Sequence, residues 1–405
     1  MASPVAYDAA TLPKVLSDPL AMTLTQVLAL PGEKGKYEGR VTALPARAET
    51  FLFEEHRENR FRAFLQRNPQ APLVFIIPGT AGNSNSSVAH FIAEKMFRLG
   101  YHAVTLDNPF SWTFAVSGSE SAVPGYAPHD AEDLYRVMRL AEARLRAERG
   151  VSPASYGLVG YSLGALQSVF LKKIDDREGR FSFEKTLLIH PPLDLLHALS
   201  VIDGFYDEGH RLSAGAQSAL MGRIAAFAEK YLTGGRTLDL QDTATLDRVF
   251  SELRLTQREI KYLIGQNFRE GLRDVIFSSQ QVRDLGILKK KVTRFQRNDR
   301  MAEAKAFSFL RYVDLFILPT LKLDRKFEWD RQDLNHATSL YQFEDYLRTE
   351  KDVFVLHAKD DFILNSNDAA WIQDVFGDRA QVLPFGGHGG TMVLPQFTSY
   401  LKEIF

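Results

Sequence analysis

The stretch Tyr156-Gly157-Leu158-Val159-Gly160-Tyr161-Ser162-Leu163-Gly164-Ala165-Leu166 decides how this 405-residue chain is read. It begins as a short apolar run of strand type and ends by opening a segment of helical type. Between them, Gly160-Tyr161-Ser162-Leu163-Gly164 has the G-x-S-x-G pattern of a nucleophile elbow. A serine on such a strained turn projects its hydroxyl above the sheet, and the glycines two residues to either side let strand and helix approach closely. The first amides of the helix then face any negative charge that develops beside the serine. A turn of small residues can also serve packing alone, so the pattern gains its meaning from the strand before it and the helix after it.

Working outward, Leu73-Val74-Phe75-Ile76-Ile77 is a continuous apolar run ended by Pro78-Gly79, as expected of a strand buried on both faces. Similar runs are His102 to Leu106, Thr186 to Ile189, Val353 to Leu356 and Gln381 to Pro384. Helical stretches separate them: Ser87 to Leu99 before Gly100, Asp130 to Arg149 before Gly150, and the segment opening at Ser162. Strands alternating with capped helices predict a parallel sheet of βαβ units. Glu49 to Glu54 and Arg60 to Gln66 read as a hairpin at its start, and Pro395 to Ile404 as a closing helix. Ahead of it, residues 1–48 read as an N-terminal arm punctuated by Pro4, Pro13, Pro19 and Pro31. The alternation stops near Leu193 and resumes near Asp352. The interval 194–349 reads as nearly all helix, over Ala214 to Leu232, Thr243 to Leu253, Gln257 to Phe277, Arg300 to Leu318 and around Leu334 to Leu347. The core is thus expected in two parts, 49–193 and 350–405.

A serine that transfers acyl groups needs a base, an orienting acid and two oxyanion donors, and after an elbow of this type the order along the chain is Ser, acid, His. The base candidate is His388, in Gly386-Gly387-His388-Gly389-Gly390 beyond the last expected strand. The acid candidates are Asp360 and Asp361, at the end of the strand Val353 to Leu356, where carboxylates face the functional edge of a parallel sheet. Asp107, ending another strand, is a lesser candidate of structural type. The amide of Leu163 follows the serine and offers one oxyanion donor, and the glycine-rich loop Pro78-Gly79-Thr80-Ala81-Gly82-Asn83 offers a second at Thr80.

Several other chemistries lack their residues. Cysteine is absent, which excludes disulfides, thiolate metal sites and a cysteine nucleophile. Phosphate-cradling motifs are missing as well. No H-E-x-x-H occurs and the ten histidines include no i, i+4 pair, so no metal or cofactor is expected. His190, closing a strand before Pro191-Pro192, reads as a satisfied strand-end residue, and Lys289-Lys290-Lys291 as a solvated loop face. A formal charge of -1 gives no electrostatic lead toward nucleic acid or an anionic surface. Apolar runs all fall short of the ~18 residues that a membrane span needs. Without a basic region ahead of Pro19 to Leu30 there is no retained secretory signal, and a cytoplasmic location is expected, although Met1-Ala2-Ser3-Pro4 would also suit an exported mature chain.

Pro78-Gly79-Thr80-Ala81-Gly82, the elbow, Asp360-Asp361 and Gly386-Gly387-His388-Gly389 together resemble an α/β-hydrolase. Closer still is the resemblance to its YheT-like, embryogenesis-associated branch, with a glycine-rich loop followed by serines (here Asn83-Ser84-Asn85-Ser86-Ser87), a G-x-S-L-G elbow, an A-x-D-D acid strand and a G-G-H-x-G base loop. It covers residues 73–193 and 350–405. This chain departs from the branch at Pro78, where the branch has His, and at Asp107-Asn108-Pro109-Phe110, where it has Asn-x-Arg-Gly. The resemblance implies an α/β fold with a mostly parallel central sheet, flanking helices and a helical cap or lid inserted late in the sheet. It implies Ser162 as nucleophile, His388 as base and Asp361 as acid, because Phe362-Ile363-Leu364 resembles the apolar anchor that follows the acid in that fold; Asp360 is the alternative. Its expected chemistry is hydrolysis of a small carboxylic ester with an apolar acyl group, in the manner of a lipase, without a cofactor. Thioester, amide and acyl-transfer chemistry use the same groups, and a non-catalytic protein holding a lipid or partner in the same pocket is the alternative outside enzymes.

Overall fold

A computed structural model describes residues 18–28, 37–45, 58–230, 243–290 and 297–405. Five apolar residues in a row leave no polar face for solvent, and Leu73–Ile77 is buried at every position. Alternate residues point to opposite faces: Leu73, Phe75 and Ile77 join one apolar cluster, and Val74 and Ile76 join the other. The strands are β1 (Tyr37–Val41), β2 (Asn59–Phe64), β3 (Leu73–Ile77), β4 (His102–Leu106), β5 (Tyr156–Tyr161), β6 (Lys185–Ile189), β7 (Val353–Ala358) and β8 (Ala380–Leu383). They form a sheet of order β1-β2-β4-β3-β5-β6-β7-β8. β2 runs antiparallel to β1 and β4, and every other neighbouring pair is parallel.

Helices fill the connections. Ahead of the sheet lies α1 (Pro19–Leu28); α2 (Ser87–Arg98), α3 (Trp112–Ser117), α4 (Ala127–Arg149) and α5 (Leu163–Glu178) follow. Between β6 and β7 come α6 (Leu195–Asp207), α7 (Ala214–Ala228), α8 (Thr243–Leu253), α9 (Gln257–Val282) and α10 (Arg297–Lys305). After them stand α11 (Phe309–Tyr312), α12 (Leu318–Arg325), α13 (Arg331–Thr338) and α14 (Glu344–Thr349). α15 (Asp368–Phe376) precedes β8 and α16 (Pro395–Ile404) ends the chain. α9 opens with a capping box between Thr256 and Glu259 and contributes to both clusters, through Leu272 and Ile276 on one side and Ile260 and Ile264 on the other. The interval between β6 and β7 therefore shares its apolar core with the sheet. No described helix is long and apolar enough to cross a membrane.

Three local expectations change. The sheet takes its edge strand β1 from Tyr37–Val41, inside the stretch 1–48 read as an arm, and this strand is the hairpin partner of β2; the expected partner, Glu49 to Glu54, lies outside the described residues. β1 escapes a pattern search because Tyr37-Glu38-Gly39-Arg40-Val41 has only two buried positions, and its Gly39 lies under the ring of Phe61, where a Cβ would come within 2.2 Å. The single helix expected over Arg300 to Leu318 is broken, because Ser308 caps a new start at α11 and a π turn over Val313–Ile317 precedes Pro319, which has no amide to donate. The last helical piece divides at Ser339, whose hydroxyl donates to the Leu193 carbonyl at 3.0 Å. α3 and α15 are additions to the expected helices, and α6 lies within the interval 194–349 read as nearly all helix.

Candidate active site

Ser162 follows β5 directly and opens α5 with φ 54° and ψ -122°, a conformation that residues with a Cβ rarely adopt. The flanking glycines have a steric reason. A Cβ on Gly160 would come within 2.3 Å of the Gly164 carbonyl, and one on Gly164 within 2.3 Å of the Ile77 carbonyl. β5, α5 and the loop after β3 can meet this closely only without those side chains. The loop's Gly79 lies against the serine, since its Cβ would stand 3.0 Å from that of Ser162.

The parallel strands deliver the other groups to the same edge. His388, beyond β8, has Nε2 2.9 Å from Ser162 Oγ and Nδ1 2.9 Å from Asp361 Oδ2, beyond β7. Asp361 Oδ1 also accepts the Ile363 amide at 3.1 Å. Burial pushes the Asp361 carboxyl up, yet its electrostatic interaction with the His388 ring and the hydrogen bonds from His190 and His388 outweigh it and hold the group well below the usual carboxylate range. The aspartate is thus an acceptor-only anion, and the ring nitrogens facing it carry protons. Nε2 of His388 is left to accept the Ser162 hydroxyl. All three groups are buried, with Ser162 at 7% exposure reached through a cavity of about 630 Å³ that also touches His388. Leu24, Phe227, Phe250 and Phe268 wall it, from α1, α7, α8 and α9.

The remaining sequence candidates fall as follows. Asp360 accepts the amides of Gly387 at 2.9 Å and Gly386 at 3.2 Å, so it shapes the loop that carries His388. Asp107 accepts the Ser84 amide at 2.6 Å, and burial pushes its carboxyl up to about 6. Its neighbour Asn108 donates from Nδ2 to the Pro78 carbonyl at 2.7 Å, which pins the loop carrying Thr80. The amides of Ala81 and Gly82 in that loop are committed to the carbonyls of Phe110 and Gly79. Thr80 and Leu163 both border a narrow second cavity of about 40 Å³, closed by Leu199, Phe309, Tyr312 and Ile317.

The sequence reads His190 only as a satisfied strand-end residue, and it does not single out Thr391 or Thr23. His190, at the end of β6, is fully buried and donates from Nδ1 to Asp361 Oδ2 at 2.7 Å. Thr391 lies 2.7 Å from its Nε2. Thr23 of α1 accepts the His388 amide at 2.8 Å. The signal available for His190 was its place: β6 lies between β5 and β7, whose ends carry Ser162 and Asp361. His190, Asp361 and His388 also bring ligand-type atoms within 4.8 Å of one another, and the hydrogen bonds to the shared carboxylate account for that closeness.

No family model matches the chain, and no curated protein matches it. Solved structures similar to it include a hyperthermophilic esterase from the archaeon Pyrobaculum calidifontis, 13% identical with a TM-score of 0.43, which covers 96% of this chain and 92% of that one. Another is a thermophilic and thermostable carboxylesterase cloned from a metagenomic library, 13% identical with a TM-score of 0.42, over 98% and 95%. A third is the thioesterase domain from the curacin biosynthetic pathway, 12% identical with a TM-score of 0.39, over 86% and 94%. With this strand order, an elbow after β5, and an acid and a histidine returning after β7 and β8, the chain has the α/β-hydrolase fold.

Proposed function

We propose that the protein is a serine hydrolase that cleaves carboxylic esters with an apolar acyl group by way of an acyl-enzyme. The observation that carries this reading is the continuous pair of 2.9 Å contacts from Ser162 Oγ through the His388 ring to Asp361, on a buried and strained elbow. In this reading Ser162 Oγ attacks the ester carbonyl carbon while His388 Nε2 takes its proton, and Asp361 orients the imidazole and stabilises the imidazolium. The amides of Leu163 and Thr80 bind the oxyanion. As the carbon–oxygen bond to the alcohol breaks, His388 returns the proton to the leaving oxygen. Water then attacks the acyl-enzyme by the same route, giving the carboxylic acid and free Ser162.

The apolar side chains Leu24, Phe227, Phe250 and Phe268 around the cavity that Ser162 and His388 line support an apolar acyl group. The leaving group faces His388 in the same cavity. The helices α6 to α14 act as the cap, excluding water from the reacting atoms. Within the superfamily, the motif set supports a place near the YheT-like branch. A fluorophosphonate probe and an ester panel test the reading. Folded wild-type protein becomes labelled at Ser162, and Ser162→Ala abolishes labelling and lowers ester turnover at least ~10³-fold. Undiminished turnover in Ser162→Ala, or folded wild-type protein that takes no label, refutes it; the second result favours a binding protein.

A further inference from the structure

Asp361 Oδ2 is shared by two histidines. His388 Nδ1 lies 2.9 Å from it and His190 Nδ1 lies 2.7 Å from it, so the histidine outside the reaction path makes the shorter contact. Because the carboxylate can only accept, His190 carries its proton on Nδ1. Its Nε2 is then a lone pair, and Thr391 Oγ1 donates to it at 2.7 Å. Thr391 belongs to the 3-10 turn Gly390–Val393 that continues the base loop. The bonds close a ring: Asp361 to His190, His190 to Thr391, Thr391 through the loop to His388, and His388 back to Asp361. His190 adopts φ 51° to do this, in the left-handed region where histidine is tolerated better than most residues.

We infer that His190, held in one tautomer by Thr391, is a positioning residue: it fixes the Asp361 carboxylate toward His388 and draws part of its charge away from the imidazole. Among the described residues, the charged or titratable groups facing the His190 ring are those of this cluster: Asp361, His388 and the buried ring of His357, whose centroid is 4.8 Å away. Burial keeps His190 below the usual histidine range, against the pull of Asp361, which agrees with a neutral donor. Removing the donor leaves the full carboxylate charge to His388, so His388 should take up a proton at higher pH. The kinetic consequence rests on the serine-hydrolase reading, and the contact itself can be measured without it.

The experiment is a pH titration of the His388 ring, followed by NMR in ¹⁵N-histidine-labelled protein, beside pH profiles of kcat/KM on an ester. His190→Ala should raise the His388 midpoint by at least ~0.5 pH unit, move the acid limb of kcat/KM by the same amount, and lower kcat/KM about 10–100-fold. His190→Asn tolerates positive φ and sets an amide N–H near the place of Nδ1, and should stay within ~0.2 unit of wild type. Thr391→Val leaves the His190 ring in place without its anchor and should shift the midpoint upward by less than His190→Ala does. A merely structural His190 would cost stability and leave the midpoint unmoved. An unmoved midpoint in folded His190→Ala overturns the inference, and if that variant does not fold, an unmoved midpoint in Thr391→Val does so. A shifted midpoint in a protein that turns over no ester would sustain the inference and refute the hydrolase reading instead.

Discussion

Replacing Ser162 by glycine and by alanine should reverse the usual order of those residues in stability. At φ 54° and ψ -122° the Cβ of residue 162 is strained, at a cost of about 1–3 kcal/mol for a backbone held in a sparsely populated region. Both variants lose the Oγ contact with His388 Nε2, so that loss cancels between them. What differs is relief of the strain in glycine, less the ~0.5–1 kcal/mol by which glycine's freedom favours the unfolded chain. With central values of about 2 and about 0.75 kcal/mol, the net is roughly 1.25 kcal/mol in favour of Ser162→Gly. With an unfolding entropy of about 2.1 cal/mol/K per residue, the 405 residues give roughly 0.85 kcal/mol/K, so Tm should differ by roughly 1.5 °C. Calorimetry of the two purified variants in one buffer resolves such a gap. Both should have lost ester turnover. If Ser162→Ala melts at or above Ser162→Gly, the elbow is unstrained and the reasoning from its backbone angles fails.

The two aspartates should separate by role: Asp361→Asn lowers kcat/KM by ~10³–10⁴-fold, and Asp360→Asn, at the carboxylate that accepts the Gly386 and Gly387 amides, lowers it less; the reverse order in steady-state kinetics would reassign the acid. Thr23→Val keeps the side-chain shape and removes the hydroxyl that accepts the His388 amide, so unfolding by urea should report a loss of about 1–3 kcal/mol, with kcat/KM reduced and the fold intact. His357 gives a pH dependence whose sign is fixed by burial, which, with the nearby His190, lowers the ring to about 3 from an ordinary 6.5. A lowered value in the folded state means that its contribution is complete above pH ~6.5 and is lost as pH falls toward about 3; His357→Asn should therefore flatten the stability curve between about pH 6 and 4, and an unchanged slope would refute this.

How much of the molecule its sequence discloses follows from where the partners of each group lie. Leu73–Ile77 and His102–Leu106 are buried on both faces, so their apolar runs mark them as central strands without further information. β1 carries Glu38 and Arg40 on an exposed edge and looks like loop until Phe61 is seen lying over Gly39. The start of α11 depends on Asp203, whose carboxylate accepts the Phe309 and Leu310 amides from over 100 residues away. At the site, the elbow is a local pattern and the base loop nearly so. The choice between Asp360 and Asp361 depends on which carboxylate faces His388, and that is a matter of backbone geometry. His190 reads in the sequence only as a satisfied strand end, because the partners that give it a role lie 171 and 201 residues along the chain.

The base loop explains why these distant contacts matter. Glycines on both sides of His388 made it recognisable, and they also make the loop entropically expensive to order. At Gly387, with φ 55°, a Cβ would come within 1.9 Å of the Pro19 carbonyl, so glycine there admits the N-terminal helix α1. α1 in turn gives Thr23 to the His388 amide, Asp360 takes the two preceding amides, and Thr391 ties the turn beyond to His190. The same glycines that allow an imidazole to swing over the sheet edge thus require restraints from α1, β6 and β7 to hold it 2.9 Å from Ser162. A helix with no chemistry of its own and a histidine outside the reaction path are, on this account, part of what makes Ser162 a nucleophile, and loosening either should cost turnover before it costs the fold.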